Sequence, residues 1–181
     1  NVLYPLLSDV LINIFTFLSF GNYLIGTKLF LSAITLLLLI SFFLLSQLLK
    51  NKNHRIIFIA LVLFYLDTSS FYLQFFQGFS LRNLVLLGFC AQTLGTSFLF
   101  LFIRSLYIKS PYYVSSLFIG LCFISHILAG LLALCLLFFY CLFQYRNKYY
   151  FYTGLLGCGL GSIYIIPFAF HTPYFLSTNI S

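Results

Sequence analysis

The sequence predicts an all-α protein: a polytopic integral membrane bundle of about five or six segments, with an interfacial amphipathic helix and a short helical hairpin at 112–143. Three observations carry this. The chain is 62% hydrophobic and only 6% charged, with a mean hydropathy of +1.09. Globular domains carry about 25% charged residues, so this composition cannot cover a water-facing surface. Apolar runs near 20 residues recur and match a hydrocarbon core about 30 Å thick. The cations sit in short clusters between those runs, so the net charge of +7 is a topology signal and excludes a nucleic-acid footprint.

Residues 6–18 place Leu6, Leu7, Val10, Leu11, Ile14, Phe15 and Leu18 at helical spacing, with Asp9, Asn13 and Thr16 opposite. The segment is short for spanning and predicts a helix in the headgroup layer. The alternative is the start of a spanning helix. Residues 29–49 make the cleanest span, 56–76 a second interrupted by Asp67-Thr68-Ser69-Ser70, and about 83–103 a third. The long run 112–143 follows, then about 149–170, closing with Pro167.

Positive loops favour the cytoplasmic side. Lys50, Lys52 and Arg55 form one cluster, Arg104 and Lys109 the next, Arg146 and Lys148 another. The last two flank 112–143, which must therefore cross an even number of times or not at all. A straight helix of that length would measure about 48 Å, well beyond the core. Two short helices of roughly 14 and 17 residues turning near Ser125-His126 satisfy both conditions and place His126 at or just below the non-cytoplasmic surface. A single tilted helix is the alternative.

The same topology makes 1–28 an external loop, 29–170 the membrane helices and 171–181 an external tail of one membrane domain. Asp9, Asp67, Arg82, His126 and His171 then share the external face, while His54 stays in a basic loop. An acid within an apolar segment is a functional candidate, although Asp67-Thr-Ser-Ser also suits helix termination. Asp9 could equally favour the first turn of its helix. Arg82 needs a phosphate, lipid or carboxylate partner; His126 and His171 can bind phosphate, move a proton or bridge helices.

Other patterns read as structural. The five cysteines, Cys90, Cys122, Cys135, Cys141 and Cys158, lie in apolar segments without a C-x-x-C pair and read as small buried hydrophobes. Gly154, Gly157, Gly159 and Gly161 do not form a phosphate loop and predict close helix packing, as does Ala91-x-x-x-Gly95. Asn179-Ile180-Ser181 fits a glycosylation sequon. The chain opens on Asn1 and contains no Met, and we expect it to be a fragment of a longer chain.

The stretches Tyr4-Pro-Leu-Leu-Ser-Asp9-Val-Leu and Leu18-Ser-Phe-Gly-Asn-Tyr23, then Gln77-Gly78-Phe79 to Gly88-Phe89, follow one another in order. Phe123-Ile-Ser-His126-Ile-Leu-Ala-Gly130, Gly159-x-Gly161 to Pro167, and His171-x-x-Tyr174 complete the series. In this order the chain resembles the amino-terminal core of the polytopic type-C (GT-C fold) membrane glycosyltransferases. The resemblance implies transfer of a sugar from a polyprenyl-phosphate donor on the non-cytoplasmic face. It implies Asp9 or Asp67 as catalytic acid candidates and Arg82, His126 and His171 on the phosphate side. The usual catalytic acid of the family follows a first spanning helix, which the resemblance would place upstream of Asn1. No cofactor is called for with certainty, and a divalent metal stays open. The expected partners are membrane lipids, the polyprenyl-phosphate-linked sugar and partner membrane subunits. Localisation is an integral multi-pass protein of the plasma membrane or endomembranes, or of an organelle inner membrane. A non-catalytic subunit of a larger, organellar complex and a proton-coupled transporter are the alternatives.

Overall fold

The computed structural model describes the backbone of residues 6–67, 90–143 and 148–177, with side chains of Leu6, 61–67, 164–165 and 167–177 outside that description. Among the described residues the protein is all-helical. The helices are α1 (Leu6–Leu18), α2 (Tyr23–Ser46), α3 (Lys52–Asp67), α4 (Cys90–Tyr107), α5 (Tyr112–Ser125), α6 (Ile127–Phe143) and α7 (Lys148–Ser177).

Local chemistry sets the ends. Helix α1 stops in a Schellman turn: the Gly21 N–H donates to Thr16 O at 3.0 Å and the Phe20 N–H to Phe17 O at 3.1 Å. Phe20 holds the left-handed position at φ 55 and Gly21 follows at φ 80. Asn22 then caps α2, its side chain accepting from the Ile25 N–H at 3.2 Å. This cap starts α2 at Tyr23, earlier than the hydropathy boundary at residue 29, and leaves Lys28 exposed on the helix. With 24 residues, α2 is long and apolar enough to cross a membrane. Its rise comes to about 36 Å. Asn51 receives the Asn53 N–H at 2.9 Å to open α3, and the Arg55 guanidinium donates back to Leu49 O across the loop. Helix α4 ends like α1: the Ser110 N–H donates to Ser105 O at 2.9 Å, with Lys109 left-handed at φ 53. Pro111 then opens α5.

The run 112–143 is two helices broken at one residue. His126 is extended (φ -160, ψ 120), its N–H donating to Cys122 O at 2.8 Å while its carbonyl accepts from the Gly130 N–H at 3.2 Å. It thus ends α5 and begins α6. Helix α7, in contrast, continues through Pro167 to Ser177, whereas the sequence suggested a stop at Pro167. An interior proline removes one backbone donor and crowds the preceding turn, which can kink a helix without ending it.

Side-chain pairs fix the relative directions. Ser105 and Ser115 hydroxyls lie 2.9 Å apart while the Cys122 thiol reaches Gly95 O at 3.7 Å, so α4 and α5 are antiparallel. The Ser116 hydroxyl donates to Thr153 O at 3.0 Å, Ile119 abuts Gly157 and Phe123 abuts Gly161, so α5 and α7 are parallel. Leu137 meets Gly154 and the Tyr140 ring lies 5.8 Å from Tyr150, so α6 runs antiparallel to α7. The rings of Phe42 and Phe100 are 4.4 Å apart, and Phe30, Ile34, Cys90 and Leu94 form one buried cluster, so α2 and α4 are parallel. Consequently Lys50, Lys52, Arg104, Lys109 and Lys148 all belong to one end of the bundle, and the α1–α2 turn belongs to the other. Arg146 is outside the described residues.

Helix α5 is the hub, packing on α4, α6 and α7. The Phe123 ring is 1% exposed and fills the space left by Gly130 and Gly161, as small residues permit between apolar helices. Toward the basic end a polar seam joins three helices: Ser105 to Ser115 at 2.9 Å and Ser115 to the Tyr149 phenol at 2.7 Å. Buried hydroxyl pairs of this kind link helices where water is excluded. The outward faces are apolar instead, with Phe17, Phe20, Phe138, Phe143, Phe151 and Ile163 all exposed.

Two expectations about faces change. Thr16, assigned to the polar side of α1, packs on Gly26 of α2, where a Cβ would come within 2.6 Å of the Thr16 Cα. The apolar side of α1 divides: Val10, Ile14 and Leu18 are exposed, while Leu11 and Phe15, with Ile12, cover the α2–α4 cluster. The glycine in α2 decides this, because it lets the Thr16 edge approach the α2 backbone. The cysteines also divide: Cys90 and Cys122 are buried, but Cys135 and Cys158 are exposed on outward faces.

Candidate functional site at the tip of the α5–α6 hairpin

The depth of His126 follows from helix register. Its Cβ sits against Gly95 of α4, as does that of Ala129. Gly95 is five residues above Phe100, which faces Phe42 of α2, a rise of about 8 Å. Helix α2 climbs from Phe42 to Tyr23, about 28 Å. The hairpin tip therefore stops about 20 Å short of the Tyr23 end, near the middle of α2. Sequence reasoning set His126 at or just below the non-cytoplasmic surface; the 14 residues of α5 end at about the level of the middle of α2.

Asp9 reaches a similar level by another route. The turn at Ser19–Asn22 folds α1 back along the first half of α2, with Thr16 on Gly26 and the Phe15 ring 5.9 Å from Phe30. Asp9 is six residues further along α1, about 9 Å deeper, level with about Leu36 of α2. Helix α1 also touches α4 and α5. Asp9 itself is exposed, with Asn13 exposed one turn nearer the Tyr23 end.

Small polar residues flank the His126–Gly95 contact on both helices. Ser125 is fully buried and its hydroxyl has no hydrogen-bond partner, an uncommon state for a buried oxygen. On α4, Thr93, Thr96 and Ser97 are buried beside Gly95. The Thr96 hydroxyl donates to Gln92 O at 2.8 Å and that of Ser97 to Thr93 O at 2.8 Å. His126 is half-buried. Among the described residues no three His, Cys, Asp or Glu side chains gather as a metal site.

Comparison with protein families, curated proteins and solved structures gives no match.

Of the residues singled out from sequence, the structure brings Asp9 and His126 to a common depth without joining them by a hydrogen bond. Asp67 ends α3 and His171 lies in α7, their side chains outside the described residues, as is all of Arg82. The sequon at Asn179 also lies outside them. His54 is exposed in the first turn of α3, at the basic end. Sequence reasoning missed the role of Gly95 as the seat of His126. The signal was present in Ala91-x-x-x-Gly95, a close-packing motif that does not name the partner it packs on. Chemically, the site sets an imidazole at a buried break in a helix and a carboxylate at the same depth.

Proposed function

We propose that this chain is the multi-pass membrane core of a glycosyltransferase-like enzyme that takes a sugar from a polyprenyl-phosphate donor, working from the bundle end opposite the basic loops. The exposed apolar faces of α2, α6 and α7 support the membrane setting, because soluble monomers rarely expose contiguous patches of that kind. The basic clusters at one end make that end cytoplasmic.

The single observation carrying the enzyme reading is the shared depth of Asp9 and His126. An ionised carboxylate at mid-bilayer cannot face acyl chains without large cost. On this reading the exposed strip Asp9–Asn13 of α1, which runs toward the Tyr23 end, faces water, and the reading requires a water-filled recess between that strip and the hairpin tip. Such a recess lets a lipid-borne phosphate and a hydroxyl acceptor meet below the surface while the polyprenyl tail stays in the bilayer. Asp9 takes the proton of the acceptor hydroxyl as it attacks the sugar carbon. His126 donates a hydrogen bond to the departing phosphate oxygen. Arg82 and His171 are further phosphate-side candidates, and Asp67 a second acid.

The test uses the full-length chain in proteoliposomes with polyprenyl-phosphate-linked sugars, following release of polyprenyl phosphate. Asp9→Asn is expected to slow release by about a hundredfold or more, the usual loss for a general base. His126→Gln should lose activity less steeply because it keeps a donor. Donor consumption that survives Asp9→Asn unchanged would overturn the assignment of the base. A folded wild type that consumes no donor would favour the non-catalytic subunit.

A further inference from the structure

At the opposite end of the bundle a groove of about 380 Å³ lies on the outer face of α5 and α7. It is lined by Tyr112, Tyr152, Leu155, Leu156, Gly159 and Leu160. The two tyrosine rings stand 6.0 Å apart at its basic end. Gly159 is its floor: a Cβ there would meet nothing within 4 Å, unlike Gly157 and Gly161, which are covered by Ile119 and Phe123. The lining residues of α7 follow the i, i+3, i+4, i+7 stripe of one helix face. Extended one turn back, that stripe reaches Lys148, which is exposed.

The charge pattern says what fits here. The whole chain has two acids, Asp9 and Asp67, against nine Lys and Arg. Asp9 lies well above the basic end, and Asp67 is the last residue of α3, which climbs away from it. Neither acid can therefore neutralise Lys148, which is open to an anion from outside. Tyrosines at the rim of an apolar face mark the level of the lipid headgroups. A cation just beyond that rim meets a phosphate, and the apolar floor beneath it meets a chain without polar groups.

We propose that this groove is a binding site for one anionic phospholipid of the leaflet at the basic end, its acyl chain over Gly159 and its phosphate on Lys148. The proposal rests on the membrane setting described above but not on sugar transfer. The site is independent of the hairpin tip, at the other side of the bilayer from a polyprenyl-linked donor.

The test places the full chain in nanodiscs of phosphatidylcholine and phosphatidylglycerol, doped with a photoactivatable phosphatidylglycerol bearing a diazirine in its acyl chain. Adducts are mapped by mass spectrometry. The expected result is an adduct within 152–160 that Gly159→Leu reduces several-fold, since a Cβ there meets nothing within 4 Å and the longer side chain takes up space in the groove. Lys148→Gln should reduce the adduct from this probe and leave that of the phosphatidylcholine analogue unchanged. Equal labelling of wild type by both analogues, unchanged labelling in Gly159→Leu, or displacement by polyprenyl phosphate would each overturn the assignment. Extraction of the protein from native membranes by alkaline carbonate would refute the membrane setting itself, separately from the groove.

Discussion

His126 rests on Gly95, so closely that a methyl group on the glycine would come within 2.9 Å of the histidine Cβ. The same methyl would meet the Ala129 Cβ at 2.9 Å. Neither neighbour is the end of a flexible side chain. Gly95 thus determines how near the hairpin tip approaches α4, and with it where the imidazole sits.

Gly95→Val should therefore push the tip outward. Overpacking of a fitted contact costs about 1–3 kcal/mol, which thermal or denaturant unfolding in detergent will show. Adding Ala129→Gly removes one of the two clashes, so the double variant should recover part of the loss in a mutant cycle. A Gly95→Val protein of undiminished stability would mean that the tip does not pack on α4.

Phe123 supplies a second test, because it contacts Gly130 on α6 and Gly161 on α7 at once. Gly161→Leu should destabilise by about 1–3 kcal/mol and Phe123→Ala by about 3–5 kcal/mol, the latter through a cavity. Gly159→Leu, two residues away on an open face, should change stability little. Equal losses at positions 159 and 161 would contradict the α5–α7 packing.

Topology can be read by labelling single cysteines in a cysteine-free background with an impermeant maleimide. Phe20→Cys, on the fully exposed α1–α2 turn, should react from one side of the membrane and Lys109→Cys from the other. His126→Cys should react only from the Phe20 side, and more slowly than Phe20→Cys, since the tip ends about 20 Å short of the Tyr23 end. Reaction of His126→Cys from the Lys109 side would reverse the hairpin and remove the basis for the proposed site.

The sequence by itself determined the helical class, the positions of most helices and the division of 112–143 at His126. Each depends on quantities that are local along a chain: hydropathy summed over a helix length, cations between apolar runs, and the rise per residue that makes 32 residues too long for one crossing. It also marked the glycines of α7 as packing sites, which Gly154, Gly157 and Gly161 are, although Gly159 opens into a groove.

Depth and facing were decided only by the tertiary structure. Loop charges tell which end of the bundle a turn belongs to but not how far up it reaches, and the 14 residues of α5 leave His126 near mid-bundle. Helix α1 shows the same limit. Its apolar residues suit two faces equally, and the choice fell to Gly26, a residue on another helix that admits Thr16. Contacts between residues far apart in sequence carry no periodic signal, and they placed Asp9 and His126 at one depth.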